Sequence, residues 1–327
     1  MKKGKGSAKP LFVTEAEVRR VLAPREANRL IEQCFRHLHD AGRIQMPSKI
    51  YLNLPEGDFR AMPAYTSLEG GIVGIKWICV FPKNPARKNL PSVIGTLLLN
   101  NTRTGALVAV MEANTVTALR TGAAAAVASK YLARPGSRSL GLVGAGVQSG
   151  YQMMCLNETF RFDRIRVWSP FRDEGARFVK RFRADFPKLA FEADLERCVR
   201  GSDVLSTCTP SRKPLVKLAW VKHGTHINAI GADAPGKQEL ETALVRAGRV
   251  FIDDWDQASH SGEINVPVSA KKFRRSDLAG TLTDAVLKKT GRRSASDITI
   301  FDSTGLAIQD MMLAGALFRR LSSGRHG

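Results

Sequence analysis

The sequence predicts an α/β protein in which a doubly wound parallel sheet is joined to an α+β portion with a mostly antiparallel sheet. Three observations carry this. Residues 139–150 (Ser-Leu-Gly-Leu-Val-Gly-Ala-Gly-Val-Gln-Ser-Gly) read as a short buried strand, a glycine turn and the start of a helix. Downstream, short apolar runs alternate with helical stretches, as crossover connections between parallel strands require. Upstream, from Met46 to Met111, the apolar residues change to strand-like runs separated by turn residues.

In chain order, residues 11–42 read as a helix-rich opening. Thr14-Glu15-Ala16-Glu17 has the form of an N-cap followed by acidic residues in the first turn. Leu30, Ile31, Cys34, Phe35 and Leu38 recur at helical spacing, and Gly42 is the expected stop. Strands follow at 49–52, 59–65 and 72–80. Pro55-Glu56-Gly57-Asp58 and Glu69-Gly70-Gly71 supply the turns between them. Residues 93–99 and 106–111 form a hairpin closed through 100–105. Residues 115–132 form a helix dense in alanine. Small side chains on all its faces allow close backbone approach, which places it at a domain junction.

The parallel part then runs strand 139–143, a helix from Val147, strand 165–168, helix 173–186, a strand near Phe191, helix 195–199 and strand 204–208. Strand 225–230, a helix over 237–245, and strands 250–252 and 298–301 complete it. A last helix, 306–321, is expected to fold back on the first domain. The expected domain boundaries are therefore 1–120 with 306–327, and 121–305, the second carrying the glycine turn.

Composition narrows the function. The hydrophobic content of 43% suffices for a large core. No run reaches the length of a membrane span; the alanine-rich stretch is weakly hydrophobic and contains Ser129 and Lys130. Met1-Lys2-Lys3-Gly4-Lys5-Gly6 lacks the apolar segment of a secretory signal and reads as a flexible basic tail. The five cysteines, Cys34, Cys79, Cys155, Cys198 and Cys208, are scattered. That argues against disulfides or zinc and for a reducing cytoplasm. His37 and His39 read as surface residues, and no metal constellation is evident. The formal charge is +20. Lysine and arginine are spread along the chain without interleaved aromatics, so anionic metabolites are expected as partners rather than a specific nucleic acid.

Gly144-x-Gly146-x-x-Ser149 is a dinucleotide-binding signature. The first glycine permits the turn, and the second lets backbone N–H groups approach a pyrophosphate at the helix N-terminus. Ser149 stands where a third glycine is usual, with Gly150 beside it. The surrounding strand, helix and αβ alternation turn a weak pattern into a Rossmann-type reading. An NAD-binding fold usually ends its second strand in a carboxylate that bonds the ribose 2′-OH. Here that strand runs into Ser169, with Arg172 close by, which favours NADP while Asp173 keeps NAD in play.

Lys76 lies in an otherwise apolar strand, where an ammonium needs a partner or a chemical task. Desolvation would lower its pKa toward that of a general acid/base. Asp233 follows a strand end, where ligands of open αβ sheets bind; a turn or N-cap role is the alternative. Arg60, flanked by Phe59 and Met62, suits a bidentate carboxylate clamp. Lys49 is a second carboxylate partner or a solvated strand lysine.

The chain resembles the ornithine cyclodeaminase/mu-crystallin family from about Thr14 to about Leu317. Within it the resemblance is to the archaeal-type alanine dehydrogenases. It rests on Met46-Pro47-x-Lys49, Asp58-Phe59-Arg60-Ala61-Met62-Pro63, Gly74-Ile75-Lys76-Trp77 and Thr117-Ala118-Leu119-Arg120-Thr121-Gly122. Further matches are the Gly144–Gln148 loop, the stretch 227–240, Gly262-Glu263-Ile264-Asn265-Val266 and Phe301-Asp302-Ser303-Thr304-Gly305. The resemblance implies a homodimer, with a substrate and dimerisation domain over 1–120 and 306–327 and a dinucleotide-binding Rossmann domain over 121–305, and makes Lys76 and Asp233 catalytic. It puts Lys49, Arg60 and Arg120 at the substrate carboxylate. It assigns Arg120, Thr121, Gly144, Gly146, Val147, Gln148, Thr207, Thr209, Asn228 and Ser303 to an NADP or NAD cofactor; Ser169 and Arg172 join them from the second strand's end, where the chain departs from the alanine dehydrogenase pattern. Ornithine cyclodeaminases carry an acid in place of Arg60, so a small amino or oxo acid is the expected substrate, with L-alanine dehydrogenation the expected reaction. A cyclodeaminase or cyclic ketimine reductase, and a non-enzymatic binding protein of mu-crystallin type, are the alternatives.

Overall fold

The computed structural model describes residues 9–323, so the basic N-terminal segment lies outside the described residues. The chain divides into two compact units, one reaching Arg120 and resuming at Leu306, the other spanning Thr121–Gly305.

The first unit contains β1 (Leu11–Val13), α1 (Glu15–Val21), α2 (Pro24–His37), β2 (Ile44–Gln45), β3 (Ile50–Leu54), β4 (Gly57–Thr66), β5 (Ile72–Val80), α3 (Asn84–Lys88), β6 (Val93–Asn100) and β7 (Leu107–Glu112). The sheet order is β1-β7-β6-β5-β4-β2, with β3 also paired to β4. Every pairing is antiparallel except β1 on β7. The opening is thus not wholly helical. Leu11 and Val13 are buried and Phe12 is exposed, a period of two too short to register against the helices that follow. Thr14 and Glu17 form a reciprocal capping box, which sets the start of α1. Helix α2 opens with Pro24 and buries Leu30, Ile31, Cys34 and Phe35. It ends at His37, ahead of Gly42, whose N–H donates to the Asp40 carboxylate in the turn beyond.

The C-terminal helix, Ala307–Ser323, packs on β4, β5 and α2. It covers the sheet face that carries Met62, Lys76, Ile78, Leu97 and Leu99, all buried. On the opposite face Ile50, Leu52, Trp77 and Ile94 remain exposed, together with Phe12.

Helix α4 (Asn114–Leu132) contains the division between units. Its small residues permit the close approach expected: a Cβ at Gly122 would lie 2.5 Å from the Tyr151 carbonyl oxygen. The second unit continues with β8 (Ser139–Val143), α5 (Val147–Phe160), β9 (Arg164–Trp168), α6 (Arg172–Phe182), β10 (Leu189–Phe191), α7 (Leu195–Arg200), β11 (Val204–Thr207), β12 (His226–Ala229), α8 (Thr242–Ala247), β13 (Arg249–Ile252), α9 (Trp255–Ser261), α10 (Asn265–Ser269), β14 (Gly280–Thr281), α11 (Leu282–Val286) and β15 (Thr299–Asp302). The strand order is β10-β9-β8-β11-β12-β15-β13-β14, and all pairings are parallel. The order reverses at β8 and β11, the switch point where open αβ sheets bind ligands.

The helix expected over 237–245 is shorter. Leu240 bridges to Val216, and α8 begins only at Thr242. The backbone N–H groups of Glu239 and Leu240 donate to the Glu263 carboxylate, which removes them from any helical ladder. Helices α9 to α11 and strand β14 escape the sequence reading because each is short, although Asp254 caps α9 and Thr281 caps α11.

Candidate active site

In the second unit, β8 runs into the glycine loop. Gly144 has φ +112°, and a Cβ there would lie 2.9 Å from the Cys208 carbonyl oxygen, so only glycine fits the turn. At Gly146, the N-cap of α5, a Cβ would meet no atom within 4 Å. The space beside Gly146 is therefore open, at the helix end where the first N–H groups have no partner within the helix itself. Ser149, in the third signature position, donates to the Gly144 carbonyl at 2.7 Å and closes the loop on itself. Gly150 supplies the close packing: a Cβ there would lie 2.6 Å from the Phe182 ring. Val147 is exposed in the first turn, and the buried Oε1 of Gln148 has no hydrogen-bond partner among the described residues. These features fit the pyrophosphate of a dinucleotide.

At the end of β9, buried Ser169 donates to Glu174 at 3.1 Å and accepts the Phe171 N–H. Arg172, exposed, begins α6. A guanidinium and a carboxylate thus share the first turn beyond the second strand, although the sequence reading weighed Asp173 there and not Glu174.

The other strand ends are held by buried carboxylates that the sequence reading did not assign. Glu239 accepts both hydroxyls of Thr207 and Thr209, at 2.7 Å each, and the N–H groups of Thr209 and Gly231. Burial raises the Glu239 carboxyl above its ordinary range; burial and then the charge of Glu239 raise Glu263. Asp253 accepts the N–H groups of Thr304 and Gly305 and the hydroxyls of Ser303 and Thr304. Asn228 donates to Ser129 at 2.9 Å and contacts the ring of His226, fastening α4 to β12. Thr207, Thr209, Asn228 and Ser303 therefore each have protein partners. Asp233 lies past the carboxyl end of β12, one-third exposed, ion-paired to Lys237 at 2.5 Å. It is not a helix cap, since α8 starts well beyond it. Thr121 is buried on α4, its carbonyl accepting from Gln152 at 3.3 Å.

In the first unit, Lys76 is fully buried on β5. Its Nζ lies 2.7 Å from Asp310 Oδ2 on the C-terminal helix and donates to Thr117 Oγ1 at 3.4 Å. Arg120 Nε lies 3.4 Å from the other oxygen of Asp310, and its Nη1 donates to Gln309 at 3.2 Å. Two cations thus share one buried carboxylate, leaving a net positive charge. Burial pulls the Lys76 pKa down to about 8; Asp310 opposes this, and Arg120 and Arg60 add to it. Asp310 escaped the sequence reading, although an acid inside Leu306-Ala-Ile-Gln-Asp-Met-Met-Leu carries the same signal as Lys76: a charge in an apolar run.

Met62 pairs with Lys76 and Arg60 with Ile78, so Arg60 and Lys76 share one sheet face. The Arg60 guanidinium holds Asp58 through Nε at 2.6 Å and Nη2 at 3.1 Å, and lies 5.7 Å from the Tyr51 ring centroid. Lys49, half-buried, immediately precedes β3. The structure therefore brings Lys76 and Arg120 together at Asp310 and sets Arg60 on the same face. Among the described residues no group of three or more His, Cys, Asp or Glu could hold a metal ion, and no helix is long and apolar enough to cross a membrane.

The sequence pattern of the ornithine cyclodeaminase/mu-crystallin family matches residues 8–325. The chain is 42% identical over 320 residues to the alanine dehydrogenase of Archaeoglobus fulgidus, covering 97% of each. It is 33% identical over 308 residues to the iminosuccinate reductase of Paracoccus denitrificans, covering 94% of this chain and 95% of that one. Among solved structures, an archaeal alanine dehydrogenase dimer with bound NAD superposes with a TM-score of 0.91 at 41% identity, covering 97% of each chain.

Proposed function

The chain belongs to the ornithine cyclodeaminase/mu-crystallin family, and from that premise we propose that it is an amino acid dehydrogenase that interconverts L-alanine, water and an oxidised nicotinamide dinucleotide with pyruvate, ammonium, the reduced dinucleotide and a proton. The observation that carries this reading is the fully buried Lys76, its pKa drawn down to about 8, beside Arg120 and on the sheet face of Arg60. A buried amine titrating near neutrality is suited to take and return a proton, and the guanidinium groups are suited to a carboxylate.

Gly144, Gly146, Val147 and Gln148 would hold the dinucleotide, which, when bound, supplies the acceptor for the hydride leaving the substrate α-carbon. Arg60, Lys49 and Arg120 fix the substrate carboxylate, and orientation of this kind removes much of the entropic barrier. Lys76 exchanges protons with the nitrogen, or with the oxygen of the attacking water. The Asp233 carboxylate stabilises the iminium cation or orients that water. Alanine-dependent reduction of NAD or NADP tests the reading; turnover of neither, beside activity on ornithine or a cyclic imine, would overturn it.

The Arg172 guanidinium supports NADP, because it offers charge-assisted bonds to a 2′-phosphate. The Glu174 carboxylate on Ser169 supports NAD, the cofactor bound in the archaeal alanine dehydrogenase structure. A ratio of kcat/KM for the two cofactors that reverses in Arg172→Ser assigns the preference to Arg172. A homodimer through the exposed face of Ile50, Leu52, Trp77 and Ile94 completes the reading, because a contiguous apolar sheet face marks an association surface. The free cysteines fit the reducing cytoplasm expected from their scatter.

A further inference from the structure

The parallel sheet presents a cleft at each end of its strands. Its carboxyl-terminal edge carries the glycine loop and Asp233. At its amino-terminal edge, the last turn of α4 with the residues after it, and the stretch from Ala285 in α11 to Ala295, line a cavity of about 880 Å³. Its charged lining consists of Lys130, Arg134, Lys288, Arg292 and Arg293, with no carboxylate among the lining residues.

Nearby acids do not balance this charge. The Asp203 carboxylate pairs with Arg134 at 3.0 Å, but also with Lys222 at 2.8 Å, and it accepts the N–H groups of Arg138 and Ser139. Asp297 lies 3.7 Å from Arg249 and accepts the N–H groups of Arg293 and Ser294. Arg134 Nε is buried without a hydrogen-bond partner among the described residues. Lys288 and Arg293 are exposed, and neither side chain has a carboxylate partner among the described residues. Like charges also press on one another. The Arg292 guanidinium is drawn down to about 10, by burial first and then with Arg134 contributing against Asp297. Burial, and then the charge of Arg293, lower Arg249.

Arg292 has a structural task that explains its own presence. It donates to the carbonyls of Leu132 and Gly224 and to Thr299, and so ties the end of α4 to the starts of β12 and β15. Helix ends favour cations, which accounts for Lys130 near the end of α4 and for Lys288 after α11. Neither task explains why Arg134, Lys288 and Arg293 line one cavity with no acid among them. Dinucleotide phosphates do not explain it either, because the glycine loop lies at the other end of the strands.

We propose that this cleft is a binding site for a short polyphosphate, held by Arg134, Lys288 and Arg293 at the amino-terminal edge of the parallel sheet. Guanidinium groups match phosphate oxygens in pairs, a lysine adds a mobile point charge, and a chain of phosphates suits several cations spread along a cleft.

The test is calorimetric titration of inorganic tripolyphosphate into the full chain saturated with its nicotinamide dinucleotide, which blocks the glycine loop. A single site is expected, weakened at least tenfold in the Lys288→Ser/Arg293→Ser double variant, with dinucleotide affinity and turnover unchanged. Both side chains are exposed, so the fold should tolerate the change. If the double variant melts early, Lys288→Ser alone, beside the charge-preserving Arg293→Lys, repeats the comparison. Three results overturn the proposal: no binding to the saturated wild type, equal binding by the variants, or binding that the dinucleotide abolishes. Binding of single-stranded RNA in place of tripolyphosphate overturns it as well. If the chain takes no dinucleotide, the difference between wild type and variant still reads the cleft.

Discussion

Replacing Asp310 by asparagine keeps the shape of the side chain and removes one charge from a closed cluster. Lys76 faces Asp310, Arg120, Arg60 and Thr117; Cys34, whose thiol burial raises, feels the same carboxylate. At the 2.7 Å separation of Lys76 and Asp310, two unit charges attract by about 1.5 kcal/mol even at the dielectric constant of water, and by about 6 kcal/mol at an effective value near 20. One pKa unit corresponds to about 1.4 kcal/mol, so losing the carboxylate lowers the Lys76 pKa by at least about one unit. The wild-type profile of kcat/KM for alanine oxidation should rise with pH through a midpoint near 8, as Lys76 loses its proton. In Asp310→Asn the midpoint should fall to about 7 or below. An unmoved midpoint, or one that rises, refutes the coupling and with it the acid/base role of Lys76.

If Asp310→Asn fails to fold, wild-type stability reports on the same lysine. The folded pKa of about 8 lies below the ordinary 10.5, so the unfolded chain binds more protons between those values. Below about pH 8 the cost of burying the charged amine is present in full, and stability recovers as pH rises toward 10.5. The recovery is about 3 kcal/mol on the 10.5-to-8 difference. Urea melts of the wild type should show that rise across the window, and Lys76→Met should flatten it.

Gly146→Val should leave the melting free energy within about 1 kcal/mol, because φ is −87° and no protein atom meets a Cβ there; it should abolish dinucleotide binding in a fluorescence titration. Gly144→Ala should instead destabilise by about 1–3 kcal/mol in denaturant melts, since φ is +112° and the Cys208 oxygen lies in the way. Arg60→Met should raise KM for alanine by roughly 10- to 100-fold with a smaller change in kcat, as expected when a charged hydrogen bond worth about 1.5–3 kcal/mol is lost. Ile50→Asp with Leu52→Asp should convert a dimer into monomers in sedimentation velocity; an unchanged mass would exclude that sheet face as the interface.

Much of the fold was legible because it is written in local periods. The strand at 72–80, the glycine turn and the start of α5 stand in the structure where alternation and turn chemistry put them. Short elements were not legible. Three residues at Leu11–Val13 are too few to show a period, and tertiary pairing with β7 decides them. The helix over 237–245 failed for a different reason. A carboxylate from Glu263 captures the backbone N–H groups of Glu239 and Leu240, and nothing in the local sequence announces that competition.

The candidate site divides along the same line. The candidates for chemistry were read from the chain alone: a lysine in an apolar strand, an arginine on the strand before it, two glycines before a helix. What those residues touch was not. Asp310 reaches Lys76 from the opposite end of the sequence, and only the packing of the C-terminal helix on β4 and β5 brings them together. Local pattern reports the cost of putting a charge in an apolar run, because that cost is intrinsic to the residue. It cannot report how the cost is met, because the partner is set by which elements pack against each other, and hence so are the pKa and the proton chemistry.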